Sequence, residues 1–353
     1  MGPRAHAFFG VNKAGTGART ESTGGKSGLP NDTDAVRIAT RIQAELSLDA
    51  AAALAIAREM VGQARTALDR KHPTEAEVLS LEAVIHVRGR PALRVMKDHL
   101  ESLQNFPGSE FWQDFITEYE GRIVAAAAVT GGILVDAFET GNPRWLQGSG
   151  WLISPNRVVT NRHVLLPGTG VKLIELGTDD RNAQLRQGFT LTVEFAADNR
   201  APAASISRRV TNVLYVSKPA DHVDIAVLEI ESYSGVQTLA LADDYADTPK
   251  NLYVVGHPAL ATAVPDQVKS VFGNPDGAKR VSFGQLLSVT QNGNTILYDA
   301  STTGGYSGGP VVGIASGRVA GLHYYGDASV GNYAVTARGL REHPAFPCLL
   351  GTA

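Results

Sequence analysis

Ser307 lies in the run Gly304-Gly-Tyr-Ser-Gly-Gly-Pro310, with two glycines on either side of Tyr306-Ser307. A serine hydroxyl is a weak nucleophile. It becomes reactive when a base takes its proton and backbone N–H groups receive the charge forming on the substrate oxygen. Flanking glycines allow a turn sharp enough to aim such groups at one point. Glycine and serine also fill ordinary turns, so this run needs support from elsewhere in the chain.

Two upstream segments supply it. In Gly148-Ser-Gly-Trp-Leu-Ile-Ser-Pro-Asn-Arg-Val-Val-Thr-Asn-Arg-His163, two apolar runs flank a Ser154-Pro155-Asn156 turn, which predicts a hairpin ending at His163. In Asp221-His-Val-Asp224-Ile-Ala-Val-Leu-Glu-Ile230, an acidic residue enters an apolar strand. A carboxylate placed there is partly buried and needs a partner, and an imidazole suits it. Ser307 as nucleophile, His163 as general base and acid, and Asp224 as the group holding the imidazole tautomer make a complete acyl-transfer set.

The elements that must position these groups come in three regions. Residues 1–33 are rich in Gly, Ser, Thr and Asn and read as a flexible tail. Residues 34–120 read as a helical region with no chemistry of its own. Ile38, Ile42 and Leu46, then Leu54, Ala57 and Val61, recur at helical spacing, and Asp49 can cap the second run. A further helical group covers 75–85. Ser109 is a candidate cap for a helix carrying Phe111, Phe115 and Tyr119 on one face, and Ile123-Val124 reads as the start of a β-strand. Thr130-Gly-Gly132 reads as a break between strands. From 121 to 353 short β-rich runs alternate with turns, for example at 171–176, 189–195, 213–216, 225–230, 252–255, 296–298, 319–322 and 333–335. Asp198-Asn-Arg-Ala-Pro202 is one such turn. This pattern predicts an all-β sandwich or a pair of barrels.

The chain has 353 residues, 43% of them hydrophobic, enough for sizeable cores. A formal charge of −3 gives no global attraction to nucleic acid or an acidic membrane. Cys348 is the only cysteine, so no intrachain disulfide forms. The first ten residues lack the apolar run of a signal peptide, and the apolar stretch 123–135 is too short to span a bilayer, so a cytoplasmic location is expected. His222, His257 and His323 lack compact ligand spacing, and neither a metal nor an organic cofactor is expected.

Thr160-Asn-Arg-His163, Asp224-Ile-Ala-Val-Leu228 and Gly304-Gly-Tyr-Ser307-Gly-Gly-Pro310 resemble the three signature segments of trypsin-like serine peptidases. Tyr298-Asp-Ala-Ser-Thr-Thr-Gly-Gly305 and Val319-Ala-Gly-Leu-His323 are similar to the bacterial glutamyl endopeptidases within that group. Over residues 121–347 the resemblance implies a mainly β fold: two antiparallel six-stranded β-barrels of chymotrypsin type, here preceded by the helical N-terminal region. It favours Asp224 over Asp221 as the third catalytic residue. It also implies an oxyanion hole from the N–H groups of Gly305 and Ser307, and a substrate pocket containing Ser301, Thr302 and His323. The Thr302 hydroxyl and the His323 imidazole N–H, the latter especially when protonated, would there bind a glutamate side chain before the cut. Tyr306 stands where trypsin-type enzymes place an aspartate, so cleavage after Arg122 should bring no trypsin-style activation. The expected partner is a polypeptide substrate, and the helical region could engage a regulatory partner. A latent protein-binding module on the same fold and a serine esterase are the competing functions.

Overall fold

The computed structural model describes residues 89–347 apart from 139–143, 168–170, 178–182, 197–205, 219–220, 222, 244–248, 260–270, 274–276, 291 and 328–329, together with scattered positions between 35 and 62. The expected tail 1–33, the helical group 75–85, the turn 198–202 and His222 lie outside these residues. Strand β1 (Ala92–Arg94) precedes helix α1 (Gln113–Ala128). Then come β2 (Thr130–Ala137), β3 (Trp145–Ser154), β4 (Arg157–Thr160) and the one-turn helix α2 (Arg162–Leu165). The hairpin β5 (Ile174–Leu176) and β6 (Ala183–Leu185) follows, then β7 (Phe189–Glu194), β8 (Ser207–Val216) and β9 (Ala226–Ile230). The second half holds β10 (Asn251–Gly256), β11 (Arg280–Val289), β12 (Thr295–Tyr298), β13 (Pro310–Gly313), β14 (Val319–Asp327), β15 (Gly331–Thr336) and helix α3 (Ala337–Glu342).

Strands β2, β3, β4, β9, β8 and β7 close into an antiparallel barrel around Ile133, Val135, Leu152, Val158, Leu191 and Leu228. Strands β11, β10, β13, β14, β15 and β12 form a second, closed by pairing of β12 back onto β11. The two six-stranded barrels are those the resemblance implies. The hairpin predicted before His163 is β3–β4, with Trp151 opposite Val159 and Leu152 opposite Val158.

Several N-terminal expectations are corrected. Residues 92–94 are a strand rather than part of a helical region, because Ala92–Arg94 pairs with Arg280–Ser282 on an edge of β11. Ile123-Val124 lies inside α1, where the alanines that follow favour helix, and Ile123 is fully buried. Thr130-Gly131-Gly132 opens β2 instead of separating strands. A Cβ at Gly131 would meet Val193 Cγ1 at 2.5 Å, so the glycine admits the neighbouring strand. Ser109 makes no side-chain cap bond, and a 3-10 turn over Glu110–Trp112 rotates the expected aromatic face. Phe111 is exposed, while Trp112, Ile116 and Ile123 face inward. Asp49 does cap, accepting from the Ala51 amide at 2.9 Å.

Leu93, Phe106, Trp112 and Ile123 share one core with Tyr253, Phe283 and Leu322 of the second barrel. Trp112 donates from Nε1 to the Gly89 carbonyl at 2.8 Å, and its ring centroid lies 5.4 Å from that of Phe283. Trp112→Ala is therefore expected to cost about 3–5 kcal/mol of stability, read from urea unfolding. A fragment 121–353 should expose this apolar face and aggregate. A monodisperse fragment as stable as the full chain would contradict that packing.

Lys279 lies across the barrels, 1% exposed, donating to the carbonyls of Ala127 (2.6 Å) and Phe195 (2.8 Å). Burial pushes its pKa from 10.5 down to about 7, with the charge of Glu194 pulling the other way. Between those values the unfolded chain binds a proton that the folded chain has released, so this residue adds stability as pH rises above about 7. The stability difference between wild type and Lys279→Met should thus move toward wild type from about pH 6 to about pH 9. A constant difference would mean that the buried amine stays protonated.

Candidate active site

The site forms where β3 and α2 of the first barrel meet the turn 301–309 of the second. The Thr160 hydroxyl donates to the Ser149 carbonyl at 2.7 Å and ties β4 to β3 just before the chain enters α2. Asn161 Nδ2 donates to the Asp224 carbonyl at 2.8 Å, drawing the entrance of β9 alongside. These bonds present His163 to Asp224. The imidazole Nδ1 is 2.5 Å from Asp224 Oδ2, and the His163 amide donates to Oδ1 at 3.1 Å. Burial alone would raise the Asp224 carboxyl, but the charge and hydrogen bonds of His163 outweigh it and hold its pKa below the ordinary 3.8. Asp221 is engaged elsewhere, accepting from the Lys218 amide at 2.6 Å and lying 3.6 Å from His343 Nε2.

Ser307 reaches the same place from the second barrel. Its carbonyl accepts from the Ser149 amide at 2.8 Å. A Cβ on Gly148 would meet Val164 at 2.7 Å and the Ser307 carbonyl at 3.1 Å, so one strand residue touches the neighbours of both the imidazole and the hydroxyl. Gly308 has φ +90°, and a Cβ there would meet the Ser149 carbonyl at 2.0 Å and Thr160 Oγ1 at 2.3 Å. No other residue fits this position.

The turn is held from three sides. The Ser149 hydroxyl, fully buried, donates to the Gly305 carbonyl at 2.7 Å and accepts from the His257 amide at 3.1 Å. The Gly304 carbonyl accepts from the Ala259 amide at 2.7 Å. Because a trans peptide points its N–H opposite its carbonyl, this bond turns the Gly305 amide away from Ala259. Among the described residues neither the Gly305 nor the Ser307 amide donates to a backbone carbonyl. Tyr306 is buried without a carboxylate, its hydroxyl 2.8 Å from Ser282 Oγ and its ring near Phe272.

The three expected pocket residues are all buried, but they are not all available as expected. Ser301 Oγ donates to the Arg90 carbonyl at 2.9 Å. The Thr302 hydroxyl donates to Asn332 Oδ1, whose amide nitrogen is held by the Ala300 carbonyl at 2.6 Å, so Thr302 directs its proton into the protein. His323 Nδ1 lies 2.7 Å from the Tyr298 hydroxyl. Burial, reinforced by the charge of His163, pushes the His323 pKa down to about 3, so the imidazole is neutral near pH 7 and lacks the added pull of a protonated ring. His257 also stays neutral and binds backbone, with Nδ1 3.1 Å from the Gly277 carbonyl. Among the described residues no group of three His, Cys, Asp or Glu is gathered as a metal site requires, and no helix is long and apolar enough to cross a membrane.

Residues 148–322 match the family model described as the trypsin-like peptidase domain. This part of the chain is a trypsin-like peptidase domain. No curated protein matches the chain significantly in sequence. Solved structures similar to it include a protease from M. tuberculosis in its active form, 18% identical over 66% of this chain and 85% of that one, with a TM-score of 0.41. A serine endoprotease from Yersinia pestis is 17% identical over 65% of each chain, with a TM-score of 0.41. A Glu endopeptidase in complex with MPD is 20% identical over 63% of this chain and 89% of that one, with a TM-score of 0.42.

Sequence reasoning about the peptidase domain missed Ser149, Ala259 and Asn332. Of these only Ser149 carried a signal, since it stands between two glycines at the start of the β3–β4 hairpin segment. Ser149→Ala leaves a buried carbonyl and a buried amide without their shared hydroxyl and is expected to cost about 1–3 kcal/mol in thermal or urea unfolding. A change smaller than about 0.5 kcal/mol would show that the hydroxyl does not hold the turn.

Proposed function

We propose that the protein is a serine endopeptidase in which His163, Asp224 and Ser307 act together. The observation that carries this reading is the two-point hold of Asp224 on His163, through both the ring nitrogen and the backbone amide, beside the Ser307 turn. With Nδ1–H donating to Asp224, Nε2 is the basic nitrogen. It takes the Ser307 proton as the hydroxyl attacks the scissile carbonyl, and Asp224 stabilises the imidazolium. The Gly305 and Ser307 amides receive the charge on the carbonyl oxygen. The imidazolium then protonates the leaving amine, and water activated by the same nitrogen hydrolyses the acyl-enzyme. These steps need no cofactor.

The pocket supports a preference for Glu before the cut, resting on His323 alone. With the Tyr298 hydroxyl donating to Nδ1, Nε2–H is the donor left for the substrate. A neutral N–H donates to a carboxylate and to an amide oxygen alike, with only the acceptor's own charge to separate them. An incoming carboxylate, however, favours the imidazolium and raises the His323 pKa in the complex. Where that rise carries the pKa into the working range, binding of Glu takes up a proton, and KM for Glu peptides should then rise with pH while KM for Gln peptides stays flat.

Cleavage-site profiling on a mixed peptide library, with fluorophosphonate labelling, tests the whole reading. Ser307→Ala should abolish labelling and lower turnover by about 10³-fold or more. Asp224→Asn should cost on the order of 10⁴-fold by admitting the wrong tautomer. His323→Ala should lose Glu-over-Gln discrimination more than general activity. Full activity in Ser307→Ala overturns the mechanism. Labelling without peptide cleavage would favour an esterase, and no labelling a latent binding module. Equal cleavage after Glu, Gln and Leu would reject the pocket assignment alone.

A further inference from the structure

Strand β11 has ten residues, but β12 covers only its C-terminal part, from Leu286 to Val289. Of the remaining length of that edge, Arg280–Ser282 is covered by β1, a strand from upstream of the residues that match the peptidase family. Segment 89–94 and segment 295–301 thus lie end to end along one edge of β11. At the junction the Phe283 amide donates to the Pro91 carbonyl at 3.0 Å, and the Gln285 amide donates to Asp299 Oδ1 at 2.7 Å.

Arg90 occupies that junction. Its Nε and second terminal nitrogen form a fork on Asp299, at 2.7 Å to Oδ1 and 2.8 Å to Oδ2. The same nitrogen donates to Gln285 Oε1 at 3.0 Å, and the other terminal nitrogen to its neighbour's carbonyl, Gly89, at 2.8 Å. Its guanidinium carbon stands 5.6 Å from the centroid of the Trp112 ring. Its own carbonyl accepts from Ser301 Oγ at 2.9 Å. One residue therefore grips the segment at both Asp299 and Ser301, and Thr302 follows directly. The side chains of Arg90 and Asp299 are only 20% and 15% exposed. An exposed ion pair contributes little, whereas a shielded bidentate fork fixes geometry.

We propose that Arg90 is a positioning residue for the substrate pocket, and that the chain upstream of the matched domain completes that pocket by bracing Asp299 and Ser301, just after Tyr298, the hydroxyl partner of His323. The proposal rests on the peptidase reading for its substrate consequences, but the brace itself is tested without substrate. Arg90→Ala, Arg90→Lys and Asp299→Asn would be made in the full chain. Amide hydrogen exchange at 299–303 should quicken by about tenfold or more in Arg90→Ala and in Asp299→Asn, with Arg90→Lys between, since lysine keeps the charge but not the fork. On peptides differing only in Glu, Gln or Leu before the cut, Arg90→Ala should raise KM and flatten selectivity by about tenfold, more than it slows fluorophosphonate labelling of Ser307. Unchanged exchange at 299–303 would overturn the brace. Quickened exchange with selectivity intact, or KM, kcat, labelling and thermal stability falling together, would overturn the pocket role and leave Arg90 a stabilising residue. A wild type that neither labels nor cleaves would defeat the peptidase reading instead, with the exchange measurement still deciding on the brace.

Discussion

Strand β3 of the first barrel and the turn 304–308 of the second approach closely enough that backbone hydrogen-bonds to backbone across the boundary, and the site depends on that contact. Ser149 donates from its amide to the Ser307 carbonyl and from its hydroxyl to the Gly305 carbonyl. Its own carbonyl lies where any side chain at residue 308 would have to go. The approach explains Gly308 and bears on Gly148, whereas Gly150 admits Val158 and Val159 of the β3–β4 hairpin. At each, a Cβ would fall within 3 Å of an atom from another segment. Such packing is unforgiving, because interiors at crystal-like density absorb even one extra carbon poorly.

Around that contact the molecule buries an unusual set of polar groups and keeps most of them neutral. His257 and His323 are held unprotonated by burial, and the Tyr298 and Tyr306 phenols stay protonated for the same reason. Asp224 is the contrast. It too is penalised by burial, but a partner at two points reverses the sign. A charge persists where it is paired and is suppressed where it is not, which separates the acid–base pair from the scaffolding that surrounds it.

The upstream region also acquires a physical reason to be present. A ten-residue β11 leaves part of one edge uncovered by β12, and an open edge invites pairing with another chain. Strand β1 closes it, Trp112 and Leu93 seal the core beneath, and Arg90 ties the strand to Asp299 and Ser301. These contacts join parts of the chain separated by as many as 211 residues.

By itself the sequence determined the mainly β character, the β3–β4 hairpin and most strands of both barrels, and it singled out His163, Asp224 and Ser307 as candidates. These rest on local signals: alternating apolar runs, turn residues, and short motifs whose chemistry is intrinsic to residue type. It also marked the glycines, though not what each had to avoid. Tertiary structure alone decided that Thr302 turns its proton to Asn332, that His323 is neutral, that 123–124 is helix, and that 92–94 is a strand. Each of those outcomes depends on a partner distant in the chain or on burial. Neither hydrogen-bond competition nor desolvation leaves a periodic trace in the residues themselves.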